Sequence, residues 1–408
     1  MSEIEKNLEC ELCELARFSA TPQQGCTRLP FSKETREAAE YIKQCMKEKG
    51  LTTYEDAVGN IFGVYHGKNA ALPCIMSGSH YDSVSYGGNF DGIAGVVAAI
   101  ETAANLKRQG VVLERDFVVA AFMDEEGCRF GTGYFGSRCM LGQMTVEECR
   151  KYKDSEGISV YEAMQQYGLV PEHIPQAAWK TKRIGAFFEI HIEQGPVLEQ
   201  KKAQIGIVDG IVGIRRYNVK VKGRADHAGT TPMHMRKDAV SAAARLIVKI
   251  EALAAESEGN MVATVGKVLV SPGAVNIIAG EVEFSIDVRS MKEELLDQME
   301  TELRTAFEKE KKLHGMEIEM TGTLKASPAE MDKELVEQLM ETGKELGCRL
   351  HQMQSGAGHD TLAIAGSIPA AMIFVPSKGG RSHCKEEETD CRDLEKAVEL
   401  LTETVKKL

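Results

Sequence analysis

Apolar positions along the chain follow two rhythms, and the rhythm changes twice. Ser32 precedes a helical period in which Ala38, Ala39, Ile42 and Met46 share one face, so a helix capped by Ser32 is predicted to about Lys49. Two continuous apolar runs come next, Ala71 to Met76 and Phe117 to Met123, separated by a small-residue helical stretch from about Gly92 to Gln109. Strand, helix, strand is the grammar of a sheet with parallel members. Runs at Ile184 to Ile192 and Ala370 to Val375 read as a third and fourth strand, and each of the four ends beside a histidine or a carboxylate.

Between about Gly213 and Thr323 the pattern changes. Arg215 to Val221 alternates as a strand, Lys237 to Glu256 is helical, and Met261 to Val270 and Glu281 to Val288 are strands. A charged helix from about Met291 to Leu313 and a last strand at Met316 to Met320 complete a strand, helix, strand, strand, helix, strand order. That order is the split βαβ arrangement of ferredoxin-like domains. The prediction is an α/β chain: a mixed sheet with flanking helices over residues 1–212 and 324–408, interrupted by a ferredoxin-like α+β domain at 213–323. Helices near Lys333 to Leu346 and Asp393 to Leu408 flank the fourth strand.

Composition narrows the function. The 408 residues exceed one ordinary domain of about 150. Hydrophobic residues at 43% and charged ones at 27% are globular values, and a net charge of -12 argues against nucleic acid or an anionic membrane as partner. No apolar run approaches a membrane span of about 18 residues, and the acidic Met1-Ser2-Glu3-Ile4-Glu5-Lys6 start lacks the marks of a signal peptide. Eleven scattered cysteines fit reduced thiols in a cytoplasmic protein. The lone C-x-x-C at Cys10 and Cys13 lies in a helical pattern with Leu8, Leu12 and Leu15, and buried thiols are expected there in preference to a zinc or redox site.

Ligands of open α/β sheets bind beyond the carboxyl ends of strands. Four polar words occupy such places: Ser79-His80-Tyr81-Asp82-Ser83 with Gly88-Asn89-Phe90-Asp91-Gly92, Asp124-Glu125-Glu126-Gly127, Glu189-Ile190-His191-Ile192-Glu193-Gln194-Gly195, and Arg381-Ser382-His383. Each alone is a weak signal. On one sheet their side chains face a single crevice, where His80, His191, His383, Asp91 and Glu126 suit two divalent ions, one carboxylate bridging. The adjacent glutamates Glu125 and Glu126 are then explained, one binding metal while its neighbour faces the attacking water. The G-x-G-x-x-G at Gly131, Gly133 and Gly136 is read as a tight turn beneath this site, because Asp124, Glu125 and Glu126 would repel a pyrophosphate.

These residues carry a resemblance. The chain is similar to the dimetal amidohydrolases that include N-carbamoyl-L-amino acid hydrolases, allantoate amidohydrolases and β-ureidopropionases, relatives of the aminoacylase and carboxypeptidase G type peptidases. Its most specific words are His191-Ile192-Glu193-Gln194-Gly195-Pro196, His227-Ala228-Gly229-Thr230-Thr231-Pro232-Met233 and Ser355-Gly356-Ala357-Gly358-His359-Asp360. The resemblance runs from about Gly25 to the His383 segment. It implies a metallopeptidase-like catalytic domain and an inserted dimerisation and lid domain, hence a homodimer. It implies that Asp91 bridges two ions, zinc or manganese or cobalt, with His80 and His191 on one and Glu126 and His383 on the other. Glu125 matches the general base and His227 the group that stabilises the oxyanion. Asn276 and Arg289 match groups holding the substrate carboxylate, and Gln194 and the backbone at Gly358 fall at further contacts.

Arg289 also makes sense unaided, since its planar fork suits a carboxylate, the alternative being a surface pair with Glu281 or Asp287. Tyr81, Thr361 and Cys384 depart from the family's common residues without touching a ligand or the base. The reaction implied is hydrolysis of a linear ureido or amide bond in a small carboxylate-bearing substrate. N-carbamoyl-L-amino acids are preferred because Phe130-Gly131-Thr132-Gly133 resembles the carbamoylase branch. The rivals are allantoate hydrolysis, an aminoacylase or peptidase with the same centre, and a non-catalytic dimeric metal-binding protein. A protein that only binds has no need of Glu125.

Overall fold

The computed structural model describes all 408 residues, which form two compact units. Residues 1–209 and 330–408 make the first, and residues 210–329 the second.

The first unit is built on a mixed sheet. Seven of its nine strands lie in the spatial order Thr52–Glu55, Ile61–Tyr65, Phe117–Phe122, Cys74–His80, Ile184–Ile192, Ala370–Val375 and Ile205–Ile211. The inner four, from Phe117–Phe122 to Ala370–Val375, run parallel, and antiparallel neighbours close them on both sides. Parallel registration sets His80 beside Phe122 and His191 beside Phe374, so the carboxyl ends of all four reach the same edge. Helix Ile93–Arg108 is buried through most of its circumference, its alanines allowing close approach to the sheet.

The helix Lys33–Glu48 begins as expected, with the Ser32 hydroxyl accepting from the Thr35 N–H. The run expected to be a strand at Ala71 to Met76 is displaced: the strand is Cys74–His80. Pro73 has no N–H for a ladder, while Ser77 and Ser79, polar by composition, are small enough to be buried between parallel neighbours. The expectation of buried thiols at Cys10 and Cys13 is corrected, since both are exposed. Helix Glu3–Leu15 turns Leu8, Glu11, Leu12 and Leu15 inward, and the helical period carries Cys10 and Cys13 to the outer face. No helix is long and apolar enough to cross a membrane.

In the second unit the strands Val268–Ser271, Glu281–Ser290, Gly213–Lys222 and Glu317–Ala326 form an antiparallel sheet in that order. Taken in chain order this is four, one, three, two from one edge, the ferredoxin-like arrangement. Helices Ala239–Ala255 and Glu293–His314 supply Leu246, Ile250, Leu303 and Phe307 to a core with Val219, Val221, Phe284 and Ile286. Full burial of such side chains stabilises by roughly 1.5–3 kcal/mol each. The strand expected over Met261 to Val270 is two pieces, Met261–Thr264 and Val268–Ser271, both paired with Glu281–Ser290. Thr264 faces Asp287 and Val268 faces Phe284, so one extra residue is accommodated as a bulge.

Candidate metal centre

Each cluster member comes from the carboxyl edge of the first unit's sheet. His80 ends its strand, and His191 is the penultimate residue of Ile184–Ile192. Glu125 and Glu126 come after the Phe117–Phe122 strand and Asp124, whose φ of 59° turns the chain. Asp91 precedes Gly92, the N-cap of Ile93–Arg108, and His383 lies beyond Ala370–Val375 with φ 54°. Gly92 has φ 67°, and a Cβ on it would fall 2.4 Å from atoms of the His80 ring, so only glycine lets Asp91 and His80 approach.

Asp91 is the hub. Its Oδ1 lies 3.2 Å from His191 Nε2 and 3.8 Å from His80 Nε2, while its Oδ2 lies 3.1 Å from His383 Nε2. His383 Nε2 is 3.6 Å from Glu126 Oε1, and His80 Nε2 is 3.9 Å from Glu125 Oε2. Two triads, His80 with Asp91 and His191, and Asp91 with Glu126 and His383, each bring ligand atoms within 4.8 Å of one another. His80 and His191 side chains are only 2% and 1% exposed and His383 is 52% exposed, so the cluster opens on its His383 side.

The donor set fits divalent cations. Glu126 Oε1 is buried without a hydrogen-bond partner, and imidazole with carboxylate is a borderline-to-hard ligand set. His191 Nδ1 donates to its neighbour's carbonyl, Ile192 O, at 2.9 Å, which fixes the ring with Nε2 turned toward Asp91 as the nitrogen an ion would meet. Burial pushes the Glu125 carboxyl well above the usual range, opposed by His80 and reinforced by Glu126 and Asp360. Burial and Asp91 raise Glu126 to about 7. Burial also acts against ionisation of Asp91, but the hydrogen bonds from His191 and His383 outweigh it and hold its carboxyl well below that range. The hydrogen bond to Asp91 lifts His383 to about 9 against its partial burial. This much opposed charge in a buried cluster is what ligation by cations would rearrange.

Gln194 joins the cluster, its Nε2 donating to Asp91 Oδ2 at 3.0 Å. Gly358 lies in the loop before His359, whose ring centroid is 4.4 Å from that of His191. A Cβ on Gly358 would meet the Tyr134 hydroxyl at 1.9 Å, which accounts for the glycine. His227, Asn276 and Arg289 belong to the second unit. There His227 and Asn276 are neighbours, Ala228 N–H donating to the Asn276 carbonyl at 3.0 Å. The N–H groups of Gly229 and Thr230 donate to His227 Nδ1 at 3.0 and 3.3 Å, so Nε2 carries the proton. Arg289 forks onto Asp287, with Nε to Oδ1 at 2.7 Å and Nη2 to Oδ2 at 3.3 Å, the pairing that the sequence left open as its alternative.

Sequence reasoning passed over several supports. Asp82 stands under His80, its Oδ1 3.4 Å from His80 Nδ1, and accepts the Glu125 and Glu126 N–H groups at 3.1 and 3.4 Å. Its signal was its place two residues after His80 on a strand-end turn. Glu189, buried below His191, accepts from Ser79 Oγ at 2.7 Å and from Thr361 Oγ1 at 2.6 Å. The Thr361 hydroxyl thus supplies a bond that an alanine there could not make. The glycine turn folds back on the glutamates, with Tyr134 N–H on Glu125 O at 2.9 Å and Gly136 N–H on Met123 O at 2.8 Å, as expected of a turn and not of a dinucleotide cradle.

A family model described as peptidase family M20/M25/M40 matches residues 76–407. An N-carbamoyl-L-amino-acid amidohydrolase of Paenarthrobacter aurescens is 40% identical over 403 residues, covering 99% of this chain and 98% of that protein. An allantoate amidohydrolase of Bacillus subtilis (strain 168) is 36% identical over 394 residues, covering 97% and 95%. Among solved structures, an amidase of the hydantoinase/carbamoylase family from Burkholderia multivorans matches with TM-score 0.90 at 32% identity, over 99% of this chain and 97% of that one.

Proposed function

This chain belongs to peptidase family M20/M25/M40, and from that premise we propose that it hydrolyses the linear ureido C–N bond of N-carbamoyl-L-amino acids. The observation that carries the reading is the division of Asp91 between two sets of imidazoles, with Glu125 beside them. In this reading His80 and His191 would hold one divalent ion, zinc or manganese or cobalt, Glu126 and His383 would hold a second, and Asp91 would serve both. Such ions, when bound, supply Lewis acidity that makes a water easier to deprotonate and the scissile carbonyl more electrophilic.

The chain's own residues do the rest. Glu125, whose proton affinity is raised by burial, takes a proton from the attacking water and returns it to the departing nitrogen. His227 Nε2–H donates to the carbonyl oxygen as charge develops there. Arg289, oriented by Asp287, and Asn276 hold the substrate carboxylate, while Gln194 and the Gly358 backbone make further contacts. The amino acid leaves, and the carbamic acid breaks down to carbon dioxide and ammonia. Eleven free cysteines support a reducing, cytoplasmic setting.

The test is a panel on protein loaded in turn with Zn²⁺, Mn²⁺ and Co²⁺: N-carbamoyl-L-methionine, its carboxyl amide, N-acetyl-L-methionine, a dipeptide and allantoate. Preferred turnover of the free carbamoyl acid is expected. A strong preference for allantoate, the substrate named for the Bacillus relative, would replace the substrate assignment. Equal rates on the carboxyl amide would remove the role given to Arg289.

A further inference from the structure

Glu387 lies in an acidic run, Lys385-Glu386-Glu387-Glu388, that reads as a solvated surface. Its neighbours Glu386 and Glu388 are exposed, yet Glu387 is 4% exposed. One of its carboxylate oxygens, Oε1, accepts the backbone N–H groups of Phe90 and Asp91, both at 3.0 Å. The other, Oε2, accepts the Ser382 hydroxyl at 2.7 Å and the His383 N–H at 3.3 Å. A single side chain therefore grips the backbone of Asp91 and that of His383, while its own position in sequence is 296 residues from Asp91.

The room for this grip is made by Gly88, where a Cβ would fall 2.1 Å from Glu387 Oε1 and 2.3 Å from Glu387 Cβ. All four partners act as donors, three of them backbone N–H groups that cannot reverse. A carboxylate, which only accepts, matches that set. Glutamine would turn an N–H toward one of the two pairs, leaving at least one backbone donor facing another donor. The match is thus to the charged, acceptor-only group and not to its shape.

We propose that Glu387 is a positioning residue that holds Asp91 and His383 in register and so builds the ion subsite shared by Asp91, Glu126 and His383. The inference rests on the proposed function, in which these three are ligands. Glu387 fixes two of the three groups of that subsite and only one of the three, Asp91, in the subsite of His80 and His191. Its loss therefore weakens the two subsites unequally.

The experiment is calorimetric titration of Zn²⁺ into the chelator-stripped full-length protein, comparing wild type with Glu387→Gln and Gly88→Ala. The second variant displaces the carboxylate without altering it, and it carries the test if the first does not fold. Wild type is expected to take two ions. In either variant one of the two affinities is expected to fall by about 10- to 100-fold, the usual worth of an outer partner of a ligand, with the other less affected. Two unchanged affinities, or equal loss of both together with a lowered melting temperature of the stripped protein, would overturn the inference alone. A wild-type protein that binds no ion would overturn the ligand reading and this inference with it. A wild type that binds two ions but cleaves none of the panel substrates would sink the substrate assignment while the titration still decides on Glu387.

Discussion

Glu125 and Glu126 are adjacent in sequence but meet different partners, Glu125 facing His80 and Glu126 facing His383. The strand has ended by then, so the pair is not forced to opposite faces as consecutive strand residues are, and the turn at Asp124 directs both into the cluster. If Glu125 is the base, Glu125→Gln should retain its bound metal, measured by atomic absorption, while turnover falls by about 100-fold or more. Loss of metal with an unchanged rate per bound ion would instead make Glu125 a ligand. His80, Glu125, Glu126 and His191 were legible because a polar group at the end of an apolar run is visible in one dimension, and Asp91 and His383 because they lie in the polar stretches that follow such runs. Glu387 was not, because nothing in Lys385 to Glu388 distinguishes the one buried glutamate from its exposed neighbours. Burial there is decided by Gly88 and by donors from one distant segment, Phe90 and Asp91, together with the nearby Ser382 and His383.

Among the elements, the amino-terminal helix shows how a helix can carry its own pH dependence. Glu11 on its inner face is paired with Lys49 at 2.8 Å, and Lys49 also bonds the fully buried Glu101, which Arg108 reaches at 3.1 Å. Burial pushes the Glu11 carboxyl up to about 7, against the pull of Lys49. A raised folded-state value favours the protonated, folded form. Its contribution is therefore complete below the ordinary value of 4.5, falls as pH rises, and is lost above about 7. At about 1.4 kcal/mol per unit the change is at most about 3 kcal/mol. Glu11→Gln should flatten this fall, seen as a smaller difference in urea stability between pH 5 and pH 8 than wild type shows; an unchanged difference would remove Glu11 as its source. Elements with long, regular patterns were legible, among them Lys33–Glu48, Ile184–Ile192 and Ala370–Val375. The short hairpin Thr52–Glu55 and Ile61–Tyr65 was not, since four or five residues carry too little periodicity to stand out.

For the whole molecule, the second unit presents Val268, Leu269 and Val270 at 48%, 51% and 42% exposure on an edge strand of its sheet. An apolar edge with unpaired backbone groups invites another strand. We propose that a second copy of this chain covers it, giving a homodimer. Sedimentation should find twice the 44.7 kDa chain mass, and Leu269→Lys should shift the protein toward monomer while leaving two-ion binding intact. A monomeric wild type at working concentration would end this proposal. By itself the sequence determined the α/β alternation, the change of rhythm near residues 213 and 323, and the strand-end positions of His80, Asp91, Glu125, Glu126, His191 and His383. All of these are local facts, set by the period of apolar residues and by the polar residues at the ends of the apolar runs. Tertiary structure decided which strands are neighbours, that Asp91 divides its two oxygens between His191 and His383, and that Asp82, Glu189 and Glu387 are buried beneath the cluster. Burial and hydrogen bonding between segments hundreds of residues apart are properties of the packed chain, and no one-dimensional pattern encodes them.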